Sequence, residues 1–585
     1  MPLAYSLTPA SVSTIEPDPV DPSSGPAELL SASVGMVPGA YGGPGSLQSL
    51  SLRGSGSTDV LYMVDGVPMN SDRDGGFDLN RLPSGITRVE VLRGPGSGLY
   101  GPDAAAGVVN FITRQPERGK PFSRVRYQQG SSDSRQLEAL LSRGLGERAH
   151  LQLSGSWNKD GGQRPNSDYD GVRYSFELGL DPHPAVPVFL RHRHYGSRNG
   201  NPGPLSSPTL YERQEDGQDD YEAGVRFGGS ASLILSQSSS YRTLNSTWGI
   251  TESRTRVRQA ELSGDRRLLP WMTASAGLAH RETDDRGTGS GNALLDRSSA
   301  FIGQQFELPY SLLAAVNLRY DRAAAYPSQL SPNLGLSWNP WKPFSVHASY
   351  GRAYKAPTLV DLRWPVEIYP PYFGYVYKIS GNPRLGPESS RQLEAGARWA
   401  SSRLSASLSL FQRRTKDLID WTHIEFVPPD TTYNYPANIG RAVAAGAEAS
   451  AALTLWGFLT LEASYSHCRS AEDSSGGRVL PYRPLNSASG SLRLNDLKLV
   501  GALRLGWKLS AEYADRQVVA HASEWSPGLE LPRRIVAGQT FSVVIRDARL
   551  YYATDNLFNV EYQTRYGYPM PRRTHSFGLV IELWD

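Results

Sequence analysis

The feature that most constrains this chain is a two-residue alternation sustained over segments too long for an ordinary soluble sheet. Leu499, Gly501, Leu503, Leu505, Trp507, Leu509, Ala511 and Tyr513 take every second position, with Arg504, Lys508, Ser510 and Glu512 between them. Successive side chains of a strand point to opposite faces, so such a segment has one apolar and one polar face. Shorter versions are Phe344, Val346, Ala348, Tyr350; Leu393, Ala395, Ala397, Trp399; Leu404, Ala406, Leu408, Leu410; and Leu459, Leu461, Ala463, Tyr465. Stacked soluble sheets or a closed barrel facing lipid would each bury these faces. Soluble strands usually run about five or six residues. Here the segments are longer, and Tyr350, Trp399, Trp421, Tyr465, Trp507, Tyr513 and Tyr552 fall toward their ends, as aromatic girdles at two membrane interfaces would place them.

Hydropathy fits the barrel. Only 39% of the residues are hydrophobic and the mean hydropathy is -0.41. No stretch approaches the roughly 18 apolar residues of a spanning helix, whereas a membrane strand gives lipid only alternate residues. The 464 residues from 122 to 585, shared among roughly 22 strands, leave about 21 per strand with its loop, enough for a membrane strand of about 9–11 residues. Lys and Arg number 60 against 57 Asp and Glu, so no electrostatic footprint for nucleic acid exists. A single cysteine, Cys468, excludes an intrachain disulfide and reads as a buried or wall-packed thiol. Residues 1–121 lack long alternation. They hold Gly-rich clusters, short buried-type strands at 59–67 and 88–93 and a short helix around 26–33, the pattern of a compact α/β unit suited to plugging a wide barrel.

Residues 51–114 carry three blocks in order: an Arg-Gly pair at Arg53, VDGVPMN, and VEVLRGPGSGLYG running into GVVNFITR. They resemble the plug of TonB-dependent receptors. YGRAYKAPTLVDL (350–362), GNPRLGPESSRQLEAG (381–396), NIGRAVAAGAEAS (438–450) and DNLFNVEYQTRYGYPMPRRTHSFGLVIEL (555–583) resemble the family's barrel. The resemblance implies a membrane all-β fold, a 22-stranded transmembrane antiparallel β-barrel (122–585) with an N-terminal α/β plug (1–121) in its lumen. It further implies a monomer in the outer membrane that imports a scarce large solute, cobalamin or a ferric siderophore, driven by the periplasmic motor protein TonB. Neither a signal peptide nor a motor-coupling box is recognisable in residues 1–30, and both are expected upstream. A passive porin or adhesin-type barrel and a soluble β-rich binding protein are the competing readings. Porins lack a plug, so residues 51–114 count against the first.

The resemblance also implies site residues. Arg53 and Arg93 follow the family's two Arg-Gly positions, and Glu388 and Glu448 follow two barrel glutamates that form an ion cluster with them. Paired Arg and Glu in a lumen offset each other's desolvation. Ligand-binding candidates are Asn70, Arg73, Asp74 and Phe77 in the plug, with Tyr369, Tyr372, Phe373, Tyr375 and Tyr377 in a barrel loop; a Tyr-rich mouth suits a large, partly apolar chelate. No cofactor is required. Asp168 and Asp170 resemble acidic loops that bind calcium in cobalamin receptors, and Asp216, Asp219 and Asp220 would add oxygen ligands; solvated loop residues are the alternative. His192 and His194 share one face of a strand, as a metal pair or as wall residues.

Two motifs are decoys. Gly96, Gly98 and Gly101 satisfy G-x-G-x-x-G, but Pro102 and AAAG lead into a strand rather than a helix that could aim its amides at a pyrophosphate. Asn70, Asp72, Asp74 and Gly75 imitate a calcium loop, but its twelfth position is Arg81 where a bidentate Glu is needed. Neither a G-x-S-x-G elbow nor an H-E-x-x-H helix is present, so nothing points to an enzyme. In the closing strand Phe577, Leu579, Ile581 and Leu583 are expected to face lipid, with Trp584 in the opposite register.

Overall fold

A computed structural model describes residues 11–23, 29–30, 33–116, 121–247, 249–288, 291–372, 375–421, 424–427, 431–473, 477–521 and 528–584. The wall begins at strand Phe122–Gly130 and ends at Thr574–Trp584, and these two pair antiparallel, Trp584 opposite Phe122. Between them each wall strand pairs with its neighbours along the chain to close a barrel of 22 strands. Closure leaves no strand edge unpaired, which is what permits a sheet to cross lipid. No described helix is long and apolar enough to cross a membrane.

The period of two sets the two surfaces. In Leu312–Ala323, Val316, Leu318 and Tyr320 are exposed on the outside, while Asn317, Arg319 and Asp321 are buried in the lumen. The long alternating segment is shorter than its pattern suggests: the strand is Leu503–Ala514. Gly501, at φ +57°, and a Leu503 N–H donating to the Val500 carbonyl make a turn of the residues before it. Phe577 and Leu583 in the closing strand are exposed on the outer surface. Trp584 turns the other way and stacks its ring edge-on against Phe122 at 4.7 Å, with Arg114 of the plug 4.8 Å from its face.

Within the lumen sits a five-stranded sheet in the order 11–15, 86–93, 107–113, 60–64, 67–68. Val60–Val64 and Gly107–Thr113 run parallel, and their side chains join Leu50, Leu52, Val89 and Val91 in one core. Gly107 is required there, because a Cβ would lie 2.3 Å from the Leu92 carbonyl oxygen. The G-x-G-x-x-G glycines frame a helix of only four residues, Ser97–Tyr100, beside Arg319 of the wall. A hairpin, Met36–Ala40 and Gln48–Leu52, packs beside the sheet. Longer excursions from the wall form small sheets of their own: Glu367–Tyr372, Tyr375–Ile379, Thr431–Asn434 and Ile424–Val427 make one, and Gln563–Arg565 with Tyr568–Pro569 another.

Candidate plug–barrel interface and solute-binding face

The plug hairpin ends at Leu52, and the chain turns through Arg53 (φ +50°) and Gly54 (φ +67°). That turn aims the Arg53 side chain at the wall. Its Nη1 donates to Glu394 Oε2 at 2.7 Å, and its Nη2 and Nε to Glu448 Oε2 at 2.8 and 3.0 Å, with the Phe411 ring 4.5 Å away. Side-chain exposure is 2% for Arg53, 0% for Glu394 and 2% for Glu448. Burial alone would lower the Arg53 pKa, but the two carboxylates outweigh it and hold the guanidinium above its ordinary value. Gly35, at φ +77°, lets Glu448 approach, since a Cβ there would overlap the carboxylate.

Arg93 reaches the edge of this cluster, 4.0 Å from Glu448. Its hydrogen bonds go to Ser13, Ser33 and the Val34 carbonyl, so it ties plug strands to one another, and burial lowers its pKa. Glu388 is not in the cluster. It pairs with Lys355 at 3.3 Å and accepts from the Ile419 N–H, and Glu394 takes the place assigned to it. Both glutamates share the lumen face of Glu388–Ala400, but they stand six residues apart, and face parity carries no information about height along the wall.

Three further plug–wall junctions escaped the sequence reading. Asp65, from the VDG block, accepts from the Thr113 N–H and hydroxyl at 2.9 Å each and meets Arg193 and Arg191 at 3.1 and 3.3 Å. Burial pushes its carboxyl up, and the two arginines outweigh that to hold it below the usual carboxylate range. Asp72 meets Arg281 at 2.7 Å and the Thr283 hydroxyl at 2.6 Å, and its backbone carbonyl accepts from the Leu359 N–H. Arg191 and Arg193 alternate with the two histidines in RHRH, so the usable signal was the opposite face of the same strand. Near the start of the plug, Asp18 and Asp21 both meet Lys508, at 3.2 and 3.1 Å.

The plug candidates for ligand contact separate by exposure. Asn70 and Phe77 are turned inward: Asn70 bonds the Tyr62 N–H and the Val60 and Gly75 carbonyls, and Phe77 packs 5.5 Å from the Tyr62 ring in the plug core. Each satisfies a need of the plug itself, so neither presents a surface to a solute. Arg73 is held by Asp285 at 3.5 Å and the Thr288 carbonyl at 3.0 Å, whereas the Asp74 side chain caps only the Gly76 N–H and is exposed. Tyr369, Tyr372 and Tyr375 belong to the hairpin Glu367–Tyr372 and Tyr375–Ile379; Phe373 lies outside the described residues. Tyr377 accepts from the Asn434 amide.

The acidic residues proposed for calcium go to separate donors. Arg213 clasps Asp168 at 2.7 and 2.8 Å, Trp157 Nε1 donates to Asp170, Arg81 and Arg242 take Asp216, and the Gln218 amide takes Asp220. His192 and His194 face outward, stack on Tyr221 and Tyr174, and share the Asp219 carboxylate. Among the described residues no group of three or more His, Cys, Asp or Glu is placed to hold a metal ion. Arg213 on Asp168, and Arg81 and Arg242 on Asp216, already supply the positive charge at these carboxylates.

A cavity of about 1600 Å³ separates the plug from one sector of the wall. Plug strand Ser11–Ile15 and the hairpin around Met36–Ser49 line one side, and hydroxyls such as Ser407, Ser450, Ser464, Ser489 and Ser510 the other. Arg53 meets Glu448, which itself borders the cavity, and Asp18 and Asp21 meet Lys508 there, while Asp65 and Asp72 engage wall arginines that do not line it.

Comparison with known proteins agrees with this architecture. Residues 6–108 match the family described as TonB-dependent Receptor Plug Domain, and residues 105–572 the TonB dependent receptor-like beta-barrel. A vitamin B12 transporter, BtuB, of Vibrio cholerae (strain M66-2) is 25% identical over 590 residues, covering 94% of this chain and 88% of that one. BtuB of Vibrio vulnificus (strain YJ016) is 28% identical over 454 residues, 72% of this chain and 69% of that one. Among solved structures, the siderophore receptor PirA from Acinetobacter baumannii superposes with a TM-score of 0.82 at 17% identity over 98% of both chains. A point mutant of the ferric enterobactin receptor PfeA from Pseudomonas aeruginosa, in complex with enterobactin, gives 0.83 at 18% identity over 99% of this chain and 100% of that one. With a plug seated by buried ion pairs in a closed 22-stranded wall, and with both family matches spanning nearly the whole length, the chain belongs to the TonB-dependent receptors of the outer membrane.

Proposed function

We propose that this receptor imports a large chelated solute, a cobalamin or a ferric siderophore, by a TonB-driven rearrangement of the plug. The observation that carries the reading is the seating: a plug held by buried Arg53, Asp65 and Asp72 pairs blocks free diffusion, so passage needs work done on the plug. The outer membrane holds neither a useful potential nor a nucleotide, and that work arrives from the periplasmic motor. Its relatives, vitamin B12 transporters in sequence and siderophore receptors in fold, support the two solute classes. Solute settles on the outward plug and loops, and a pull on the plug's N-terminal side, where Asp18 and Asp21 meet Lys508, reaches the cavity between plug and wall.

The chain, expressed behind an export signal and a motor-coupling box in cells lacking their own receptors, is expected to accumulate labelled cobalamin or a labelled ferric chelate, and to lose this on collapse of the inner-membrane proton gradient. Uptake that survives the collapse, or passage of small sugars at porin rates, speaks for the passive-barrel reading instead.

A further inference from the structure

Over one sector of the wall, the lipid-facing surface ends in a row of like charges. Strands Phe344–Lys355, Glu388–Ala400, Leu404–Asp420 and Ala437–Leu455 are joined at one end by long excursions and meet short turns, such as 342–343 and 401–403, at the other. Long loops mark the extracellular end of an outer-membrane barrel. Approaching that end, the outward series of Tyr350, Leu393 and Leu410 gives way to Arg352, Arg391 and Arg414. Gln392 and Arg413 are buried in the lumen, so Arg391 and Arg414 take the outer face. In the strand ladder Arg352 stands directly opposite Arg391, and Arg391 directly opposite Arg414. One step further out, Lys416 stands opposite Arg441.

Like charges directly opposite one another destabilise a strand pair, and nothing in the protein offsets them here. Among the described residues Arg391, Arg414, Lys416 and Arg441 are exposed and have no carboxylate within ion-pair distance. Arg352 bonds only the Ser389 hydroxyl and the Gln329 side-chain carbonyl, and Asp417, beside Lys416 in sequence, pairs with none of the five. Farther round the barrel the pattern differs: exposed Arg213, Arg258 and Arg286 each meet a carboxylate, of Asp168, Glu282 and Asp284. The depth of the row identifies what would neutralise it. Arg352 and Arg391 lie two residues beyond Tyr350 and Leu393, about 7 Å along the strand, where the apolar band gives way to lipid headgroups. Three arginines across two inter-strand gaps span about 10 Å, and the guanidinium fork donates in pairs to phosphate oxygens. The surface directly below, with Tyr350, Leu393 and Leu410 exposed at 43%, 59% and 55%, is continuous with the row and suits acyl chains.

We propose that the row Arg352–Arg391–Arg414, with Lys416 and Arg441 above it, docks an outer-leaflet lipid whose headgroup carries two or more phosphates. The phosphates sit across the arginines of neighbouring strands, and the acyl chains lie along Tyr350, Leu393 and Leu410. The bound lipid supplies the missing counter-charge and ties adjacent wall strands together beneath the excursions at 356–387 and 421–436. The site lies on the outer surface of the wall, away from the lumen, and holds whichever solute the receptor imports.

The test is native mass spectrometry of the purified full chain in detergent, titrated with bisphosphorylated lipid A, its monophosphorylated form and phosphatidylcholine. The bisphosphorylated lipid is expected to bind at least about tenfold more tightly than either other probe, with affinity that falls as salt rises. Arg391→Gln with Arg414→Gln should weaken it by about tenfold or more, since each lost arginine removes charge-assisted hydrogen bonds. Arg391→Lys with Arg414→Lys, which keeps the charge, should recover part of the loss. The control pair Arg258→Gln with Arg286→Gln, in the sector where arginines are already paired, should leave affinity within about twofold of the parent. Heat-modifiable gel migration of each variant reports that the barrel is intact. Equal affinity of the parent and the Arg391/Arg414 variant, an equal loss in the control pair, or no gain from the second phosphate overturns the proposal. Displacement of the lipid by an acyl-free phosphorylated diglucosamine at equal concentration overturns it too, since the row would then serve a soluble polyanion.

Discussion

Replacing Arg53 with alanine isolates what the buried ion cluster does. The variant leaves Glu394 and Glu448 in the lumen wall with exposures of 0% and 2% and removes the cation that meets both. Breaking a buried pair by deleting one partner costs about 3–5 kcal/mol, because the orphaned charge keeps its desolvation penalty. The wall strands are held by their own ladders, so the cost falls on the seating of the plug. At about 1.4 kcal/mol per factor of ten, the open population of the plug hairpin should rise between about a hundredfold and a few thousandfold. The upper part of that range shrinks if a glutamate takes up a proton. Amide hydrogen exchange of Met36–Ala40 and Gln48–Leu52 in lipid nanodiscs reads this opening directly. Rates within about threefold of the parent would refute the reasoning, since they would mean that the cluster contributes nothing net to seating. The companion variant Arg53→Met with Glu394→Gln and Glu448→Gln removes Arg53 and both of its carboxylates but leaves Arg93, 4.0 Å from Glu448, without a counter-charge, so it should restore part of the protection rather than all of it.

Other outcomes follow from the same structure. Asp103 in the plug is raised from 3.8 to about 7 by burial; a raised carboxyl contributes stability that is complete below about pH 4 and lost as pH rises through about 7. Asp103→Asn should therefore flatten the fall in plug melting temperature between those values, and an unchanged slope would assign the pH dependence to other groups. A Cβ on Gly54 would lie 2.9 Å from the Cys468 sulfur, so Gly54→Cys should cross-link plug to wall under mild oxidation; uptake should stop and return with reductant, and full uptake by the cross-linked form would show that this sector stays put during transport. Leu583→Asp sets a charge on the outer surface where the barrel closes on Ser123. The cost is below the roughly 2–4 kcal/mol of a midplane Arg or Lys, yet it should reduce heat-modifiable barrel well below Leu583→Ala, and equal assembly of the two would put this face out of lipid.

The architecture was legible in the residues because its rule is local. A period of two assigns each side chain of Leu312–Ala323 or Phe344–Lys355 to lipid or lumen without knowledge of any partner, and the plug blocks around Arg53, Asp65 and Arg93 stand in unbroken order. Even so, the turn at Gly501 shortened one strand that alternation alone would have extended. Charge partners were another matter. Arg53 lies 341 residues from Glu394 and 395 from Glu448, and several glutamates share the lumen face, so only the height at which the plug rests selected Glu394 over Glu388. The same tertiary placement turned Asn70 and Phe77 into the plug and gave the acidic residues separate partners, Arg213 for Asp168, Trp157 for Asp170, Arg81 and Arg242 for Asp216 and Gln218 for Asp220. Side-chain facing is a property of a strand by itself, whereas the neutralisation of a charge depends on which distant segment folding brings within about 4 Å of it.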